Sequence, residues 1–229
     1  MTKTETYKII VPLYNEQKYI RKFIEAVPEK HLPHLILVND GSTDKTKKIL
    51  QEEFPKLTLI NHTINLGKGK SLETGAMRAI KEKADIIICM DGDLQHKPED
   101  LDRFLRKFKK DKKLEILFGA RKIGTHMSFM PFFGNKLLTI TINLLYRYFL
   151  NDTQCGFRAF RSKIYNKLKW ESPGYEAETE MIINAAKHKL KYKEINIDTV
   201  YLDDYKGTNM IDGIIVMSKT LLWKLFKRN

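Results

Sequence analysis

Short, continuously apolar runs that each end in a polar cluster constrain this chain more than any other feature. They fall at 7–12, 35–39, 57–60, 86–90 and 116–119. Helical patterns separate them: about 16–27, from a Ser42 or Thr43 cap to about 54, 69–81, and from Pro98 to about 110. A strand that is apolar on consecutive residues has no solvent face, so helices must cover both sides of its sheet. Strands joined through helices run parallel, because only a long crossover can connect parallel neighbours. The expected fold class is α/β, a three-layer sandwich with a mainly parallel central sheet. Ligands of such sheets bind beyond the carboxyl ends of the strands, where the polar clusters lie.

The texture changes in the second half. Residues 127–133 form a strongly apolar segment interrupted by Pro131, and 137–150 reads as an apolar helix. A last helix over about 211–227 mixes Ile214, Ile215, Leu221, Leu222, Trp223 and Phe226 with Lys219, Lys224 and Lys227. A spanning helix needs roughly 18 or more nearly uncharged apolar residues, and the best stretch, 137–146, stops at Arg147. Residues 1–6 carry no apolar core of a signal peptide. With no repeat or Gly/Ser linker, one domain with an elaborated C-terminal part is expected, in the cytoplasm.

Lys+Arg number 41 against 28 Asp+Glu, a formal net charge of +13. Such a field concentrates nucleic acid, nucleotides or anionic lipid without choosing among them. A nucleic-acid-binding module is the rival reading from another class. It leaves the acidic motif below unexplained, and no RNP, zinc-finger or helix-turn-helix pattern is present, so no nucleic acid partner is expected. The basic run 103–113 reads as a solvated helix face. Cys89 and Cys155 have no metal-ligand spacing; Cys89 reads as a small buried hydrophobe, and no disulfide framework is indicated.

The strongest chemical signal is Asp91-Gly92-Asp93, continued by Leu94-Gln95-His96, directly after an apolar run. Two carboxylates two residues apart at a strand end reach one small space, and Mg²⁺ or Mn²⁺ prefers such hard oxygen ligands together with phosphate. The first run ends in 11–16, where Tyr14 offers a face for a base or ribose and Glu16 an acceptor. The second ends in 39–44: Asp40 can accept from a ribose hydroxyl or base N–H, while Ser42 and Asp44 suit turn and cap. Residues 65–71 form a glycine-containing loop entering a helix. It lacks the GxxxxGK[ST] spacing, but its amides and Lys68 or Lys70 can meet a diphosphate.

Together these motifs resemble the family 2 glycosyltransferases of GT-A fold, and most closely the dolichyl-phosphate mannose synthase-like branch. The likeness continues through Asp152-Thr153-Gln154-Cys155-Gly156-Phe157-Arg158 and Tyr175-Glu176-Ala177-Glu178-Thr179-Glu180, covering about 7–210. The resemblance implies a GT-A, Rossmann-like sandwich with C-terminal amphipathic helices. Residues to about 122 would form the nucleotide-sugar half, and those from about 123 the acceptor and membrane-facing half. It implies a donor site of Pro12, Tyr14, Glu16, Asp40, Lys68, Asp91 and Gly92, with Asp91, Asp93 and Gln95 facing the metal. Arg121 matches the arginine that serves the phosphates, so Asp91, Asp93 and Arg121 form the expected catalytic set. Arg121, Arg158 and Lys206 are candidates for an acceptor phosphate. Around 205–208 the chain departs from the family pattern, and an ion pair is an equal reading for Arg158.

The resemblance implies an inverting transfer of a hexose from GDP-mannose or a UDP-hexose or UDP-HexNAc. A hydroxyl acceptor needs a carboxylate base, whereas a phosphate monoester, with a second pKa of about 6, is already ionised. Relatives using hydroxyls carry a Glu-Asp pair late in the domain; here Glu176, Glu178 and Glu180 stand instead. A polyprenyl phosphate acceptor is therefore favoured over a glycan hydroxyl. The apolar, basic segments suit helices in the headgroup plane. Peripheral attachment to the inner membrane face is expected, directly, through a membrane-protein partner, or as a homo-oligomer.

Overall fold

The computed structural model describes residues 5–121 and 129–199, the side chains of 129–133 excepted, with 216, 218–220 and 223. Strands β1 (Tyr7–Leu13), β2 (Leu35–Asp40), β3 (Thr58–His62), β4 (Ile86–Cys89) and β5 (Ile116–Arg121) occupy the five apolar runs. Between them lie α1 (Ile20–Ala26), α2 (Thr46–Glu53), α3 (Lys68–Lys81) and α4 (Leu101–Lys110). After β5 come α5 (Phe129–Tyr146), β6 (Arg158–Arg161), α6 (Tyr165–Leu168), α7 (Glu176–Lys187) and β7 (Tyr192–Ile197).

One seven-stranded sheet has the order β3-β2-β1-β4-β6-β5-β7. β1 pairs in parallel with β2 and β4, β2 with β3, and β5 with β7. β6 is antiparallel to both β4 and β5. Two reversals cancel, so β5 points the same way as β1, β2 and β4, and their carboxyl ends share one edge. β6 runs the other way and brings the residues that precede it to that edge.

Side chains in a strand alternate between faces, and both faces of this sheet are dry. Ile9, Val11, Leu13, Leu37, Ile86 and Ile88 pack with Phe23, Phe104, Phe108 and Phe157. Ile10, Val38, Ile87, Cys89 and Phe118 pack on the other face with Leu72, Trp170, Met181 and Ile142. Cys89 is buried there, as expected of a small hydrophobe, and its thiol is pushed up to about 12 by burial.

The departures from the expected elements have local causes. α1 begins at Ile20 rather than near 16, because 15–17 is tied to the next loop. Asn15 has φ +56°, the Glu16 amide donates to Thr46 Oγ1 at 2.8 Å, and the Gln17 amide to Asp44 Oδ2 at 3.1 Å. α2 begins at Thr46 because Asp44 Oδ1 accepts from the Thr46 amide at 2.9 Å. From Phe129 on, the apolar segment and the following helix are one element, α5, with Pro131 in its first turn, where the missing N–H costs nothing. That helix ends at Tyr146, before a left-handed Arg147 (φ +53°), and Asn143 secures the exit through bonds to the Leu150 carbonyl and amide. β6 and β7 were not expected: Arg-Ala-Phe-Arg does not read as a central strand, and β7 is a half-exposed edge.

The expected terminal helix over 211–227 lies largely outside the described residues. Where described it is helical and packed: Val216 and Thr220 are buried, the Tyr146 hydroxyl donates to the Thr220 carbonyl at 3.0 Å, and Lys219 pairs with Glu176. Among the described residues no helix is long and apolar enough to cross a membrane.

Phe157, fully buried just before β6, stacks on Phe104 with ring centroids 4.2 Å apart. Phe157→Ala should cost about 3–5 kcal/mol, read as a lower urea midpoint with an unchanged slope; a loss well under 1 kcal/mol would show that this face of the sheet repacks.

Candidate active site

The shared edge of the sheet opens into a cleft of about 440 Å³. Of the residues expected to act, Pro12, Tyr14, Glu16, Asp40, Lys68, Asp91, Gly92, Asp93, Gln95 and Arg121 all line it. Parallel pairing is the reason. Leu13 faces Asn39 across β1 and β2, Ile10 faces Cys89 across β1 and β4, and each strand delivers its polar tail to the same place.

The floor is a charge cluster. Lys68 Nζ, at the start of α3, lies 2.7 Å from Asp91 Oδ1 and 2.8 Å from Glu178 Oε1, in the first turn of α7. Burial opposes the Lys68 charge, but Asp91 and Glu178 more than compensate and raise its pKa. Burial likewise disfavours the Asp91 carboxylate, yet Lys68 and His96 hold it below the ordinary carboxylate range. Asp93 moves the other way, pushed up by burial and by the Asp91 charge. Its Oδ1 accepts from the Gln95 amide at 3.0 Å across a left-handed Leu94 (φ +65°). The buried His96 is held below the usual imidazole range by burial, against the pull of Asp91 and Asp93.

Asp40 lines the cleft, but both of its oxygens already have partners. Oδ1 accepts from the Leu66 amide at 3.0 Å and lies 2.7 Å from His62 Nδ1; Oδ2 accepts from the Gly67 amide at 2.8 Å. It straps the glycine loop in place. The glycines there serve packing: a Cβ on Gly67 or Gly69 would strike the 172–173 backbone, and the Trp170 indole donates to the Gly69 carbonyl at 2.8 Å. Lys70 does not line the cleft; it pairs with Glu73 at 2.7 Å.

Arg121 ends β5 and is gripped by Asp152, Nε to Oδ2 at 2.6 Å and Nη2 to Oδ1 at 3.0 Å, so its guanidinium is fixed at the cleft wall. Arg158 is placed elsewhere. It is buried in β6, and its guanidinium donates to the Cys155 carbonyl and the Glu178 carbonyl, both at 2.7 Å, away from the cleft. It buttresses the turn that carries Glu178, so an acceptor phosphate role is corrected to a supporting one. Lys206 lies outside the described residues.

Several cleft residues were not singled out from the sequence. Tyr175, 39% exposed, joins Tyr14, 44% exposed, as a second aromatic of the lining, and Lys68 Nζ lies 5.6 Å from its ring centroid. Glu178 reads from sequence as one of three helix acids; only α7's rotation selects it for the cleft, while Glu180 accepts from the Glu171 and Ser172 amides. Gly156 abuts the acids so closely that a Cβ would collide with Asp91 Oδ2 and sit 3.0 Å from Glu178 Oε1.

The donor set suits a hard divalent cation. Asp91, Asp93 and Gln95 all line the cleft and carry hard carboxylate or amide oxygens, and a second positive charge would relieve the crowding that raises Asp93. Among the described residues no three His, Cys, Asp or Glu side chains converge to enclose an ion. The rest of the shell would come from phosphate oxygens and water, as Mg²⁺ commonly takes it.

The sequence pattern of the family described as "Glycosyl transferase family 2" matches residues 8–169. The chain belongs to that family. It is 31% identical over 242 residues to the UDP-N-acetylglucosamine–dolichyl-phosphate N-acetylglucosaminyltransferase of Methanococcus voltae, covering 96% of each chain. It is 27% identical over 245 residues to a dolichyl-phosphate beta-glucosyltransferase of Trichomonas vaginalis, covering 96% of this chain and 73% of that one. In fold it is similar to glucosyl-3-phosphoglycerate synthase of Mycobacterium tuberculosis, crystallised with Mn²⁺, UDP and glucosyl-3-phosphoglycerate. The TM-score is 0.74 at 16% identity, over 97% of this chain and 79% of that one. The fold is the GT-A glycosyltransferase fold, as the sequence motifs implied.

Burial opposes the Asp152 charge, but Arg121 overrides it and lowers the carboxyl below its ordinary value. The stability this confers is present above the unfolded value of about 3.9 and is lost as pH falls through the lower folded value. Asp152→Asn should therefore cost about 2 kcal/mol near pH 7, measured by urea unfolding. The gap to wild type should shrink below about pH 3.9; a gap that ignores pH would show that the charge is not its source.

Proposed function

We propose that this family 2 glycosyltransferase moves a hexose from a nucleoside-diphosphate sugar to a polyprenyl phosphate, with inversion, at the cytoplasmic face of a membrane. The observation that carries this reading is the state of Glu178. It is the carboxylate of α7 that enters the cleft, and it is bound to Lys68 at 2.8 Å. A carboxylate neutralised by an ammonium ion is a poor general base, so a hydroxyl acceptor has little help from it. An ionised phosphate needs no base, only positioning. The dolichyl-phosphate transferases among the relatives support the same acceptor.

The donor's base and ribose lie against Tyr14 and Pro12, beside Glu16 and Asp40, with Tyr175 in the same lining. Asp91, Asp93 and Gln95 would hold Mg²⁺ or Mn²⁺, which would supply positive charge to the departing diphosphate. Lys68 and Arg121 add fixed positive charge at the same place, where low dielectric makes it effective. The acceptor phosphate oxygen forms its bond to the anomeric carbon from the face opposite the diphosphate. The bond from that carbon to the diphosphate oxygen breaks, and its electrons leave with the nucleotide.

α5 links cleft and membrane. Asn135 lines the cleft, and further along Leu137, Ile140 and Leu144 are 51%, 45% and 69% exposed. Their spacing puts them on one helix face, with Lys136 exposed beside them. Such a stripe suits the boundary between headgroups and acyl chains, and it leads a lipid acceptor's phosphate toward the cleft.

In a thermal-shift panel of GDP- and UDP-sugars with Mn²⁺, one donor should raise Tm by several degrees. Asp93→Ala should abolish that Mn²⁺-dependent rise and transfer to polyprenyl phosphate while still unfolding cooperatively. Label appearing on free glycans instead of the lipid would replace the acceptor assigned here. Changing Leu137, Ile140 and Leu144 together to serine should weaken sedimentation with anionic vesicles by about tenfold or more; unchanged sedimentation would remove α5 from the membrane contact.

A further inference from the structure

Lys68 occupies the position that most needs explaining. Its ammonium sits on the carboxylate expected to bind a divalent cation, 2.7 Å from Asp91 Oδ1, and equally close, at 2.8 Å, to Glu178 Oε1. Two positive groups cannot share Asp91 at contact distance without strong repulsion in a poorly screened site. An ammonium stranded in such a site is equally costly. We propose that Lys68 holds the cation's place at Asp91 in the free protein, and that Glu178 keeps Lys68 when a divalent ion takes Asp91. This rests on the metal reading of Asp91 and Asp93 given above.

The surroundings leave Lys68 little choice. Gly156 closes the far side of the two acids with backbone, where even a Cβ would strike Asp91 Oδ2. Asp152 already holds Arg121, and Lys70 is committed to Glu73 outside the cleft. Glu178 is itself anchored, because Arg158 takes its carbonyl oxygen at 2.7 Å from within the core. The second acid is thus a rigid holder for Lys68 that does not itself need to touch the metal. With Lys68 parked, the ammonium stays beside the diphosphate when the donor arrives. Glu178 is a positioning residue acting through Lys68.

Mn²⁺ binding without donor tests this, followed by the electron paramagnetic resonance signal of free Mn²⁺. Lys68→Met should tighten Mn²⁺ binding about tenfold, and Glu178→Gln should weaken it about tenfold, within the range of coupling between contacting charges. In the Lys68→Met background, Glu178→Gln should change affinity by less than about threefold, since there is no ammonium left to hold. Equal Glu178→Gln effects in both backgrounds would reduce Glu178 to a distant charge and overturn the proposal. So would weaker or unchanged binding in Lys68→Met, a result that stands even if Glu178→Gln fails to fold. Wild-type protein that binds no Mn²⁺ even with UDP or GDP present would overturn the metal reading as well, whereas normal wild-type binding with additive variants would overturn the handover alone.

Discussion

The direction of β6 governs how this site is assembled. A sheet of uniformly parallel strands would bring only strand tails to its carboxyl edge. β6 runs antiparallel between β4 and β5, so the chain enters it from that edge, and residues 152–157 arrive among the tails of the other strands. Asp152 thereby meets Arg121, and Gly156 meets Asp91. Because β6 is antiparallel to both neighbours, β4 and β5 still share a direction, and Arg121 ends on the same edge as Asp91. Gln154 and Gly156 line the cleft because of that one strand.

Inserting such a strand in the centre of a dry sheet has a physical cost, because it carries two arginines. Main-chain carbonyls satisfy Arg158, and main-chain carbonyls together with the Glu5 carboxylate satisfy Arg161. Arg158 takes the Cys155 and Glu178 carbonyls, while Arg161 takes the Leu114 carbonyl at 2.8 Å and Glu5 Oε1 at 2.6 Å. Buried charge survives when it is paired and fully hydrogen-bonded. Here the pairing also does positional work, since the Glu178 carbonyl is one of the acceptors. Fold and site are joined at the first turn of α7.

The acid–ammonium cluster explains how a strongly basic protein maintains an acidic pocket. Asp91, Asp93 and Glu178 would repel one another if left alone in a poorly solvated space; Lys68 offsets one of the charges and leaves a net negative site for a divalent cation. Around it, Tyr14 and Tyr175 stay exposed, apolar surfaces at the mouth of a charged cleft. That combination suits a ligand with a flat base at one end and a diphosphate at the other.

Much of this was legible in the residues alone. Short, β-branched apolar runs such as 86–90, alternating with helical patterns, read as buried strands, and the polar clusters after them then fall at the carboxyl edge. The first five strands, the mainly parallel sheet and the meeting of Tyr14, Asp40 and Asp91 follow from local pattern, while Arg121 was singled out by the family resemblance. β6 was hidden because Arg-Ala-Phe-Arg looks polar until its guanidinium groups find carbonyls distant in sequence. Asp40 looked free to meet a ligand, and only the folded loop shows its oxygens accepting from Leu66 and Gly67. Three glutamates in one helix are equivalent on paper; the rotation of α7 sends Glu178 to the cleft and Glu180 to the Glu171 and Ser172 amides. Local periodicity determines which segments are strands and where their ends must gather. Which charged side chain meets which partner is settled by contacts between residues scores of positions apart, and these exist only once the sheet has closed.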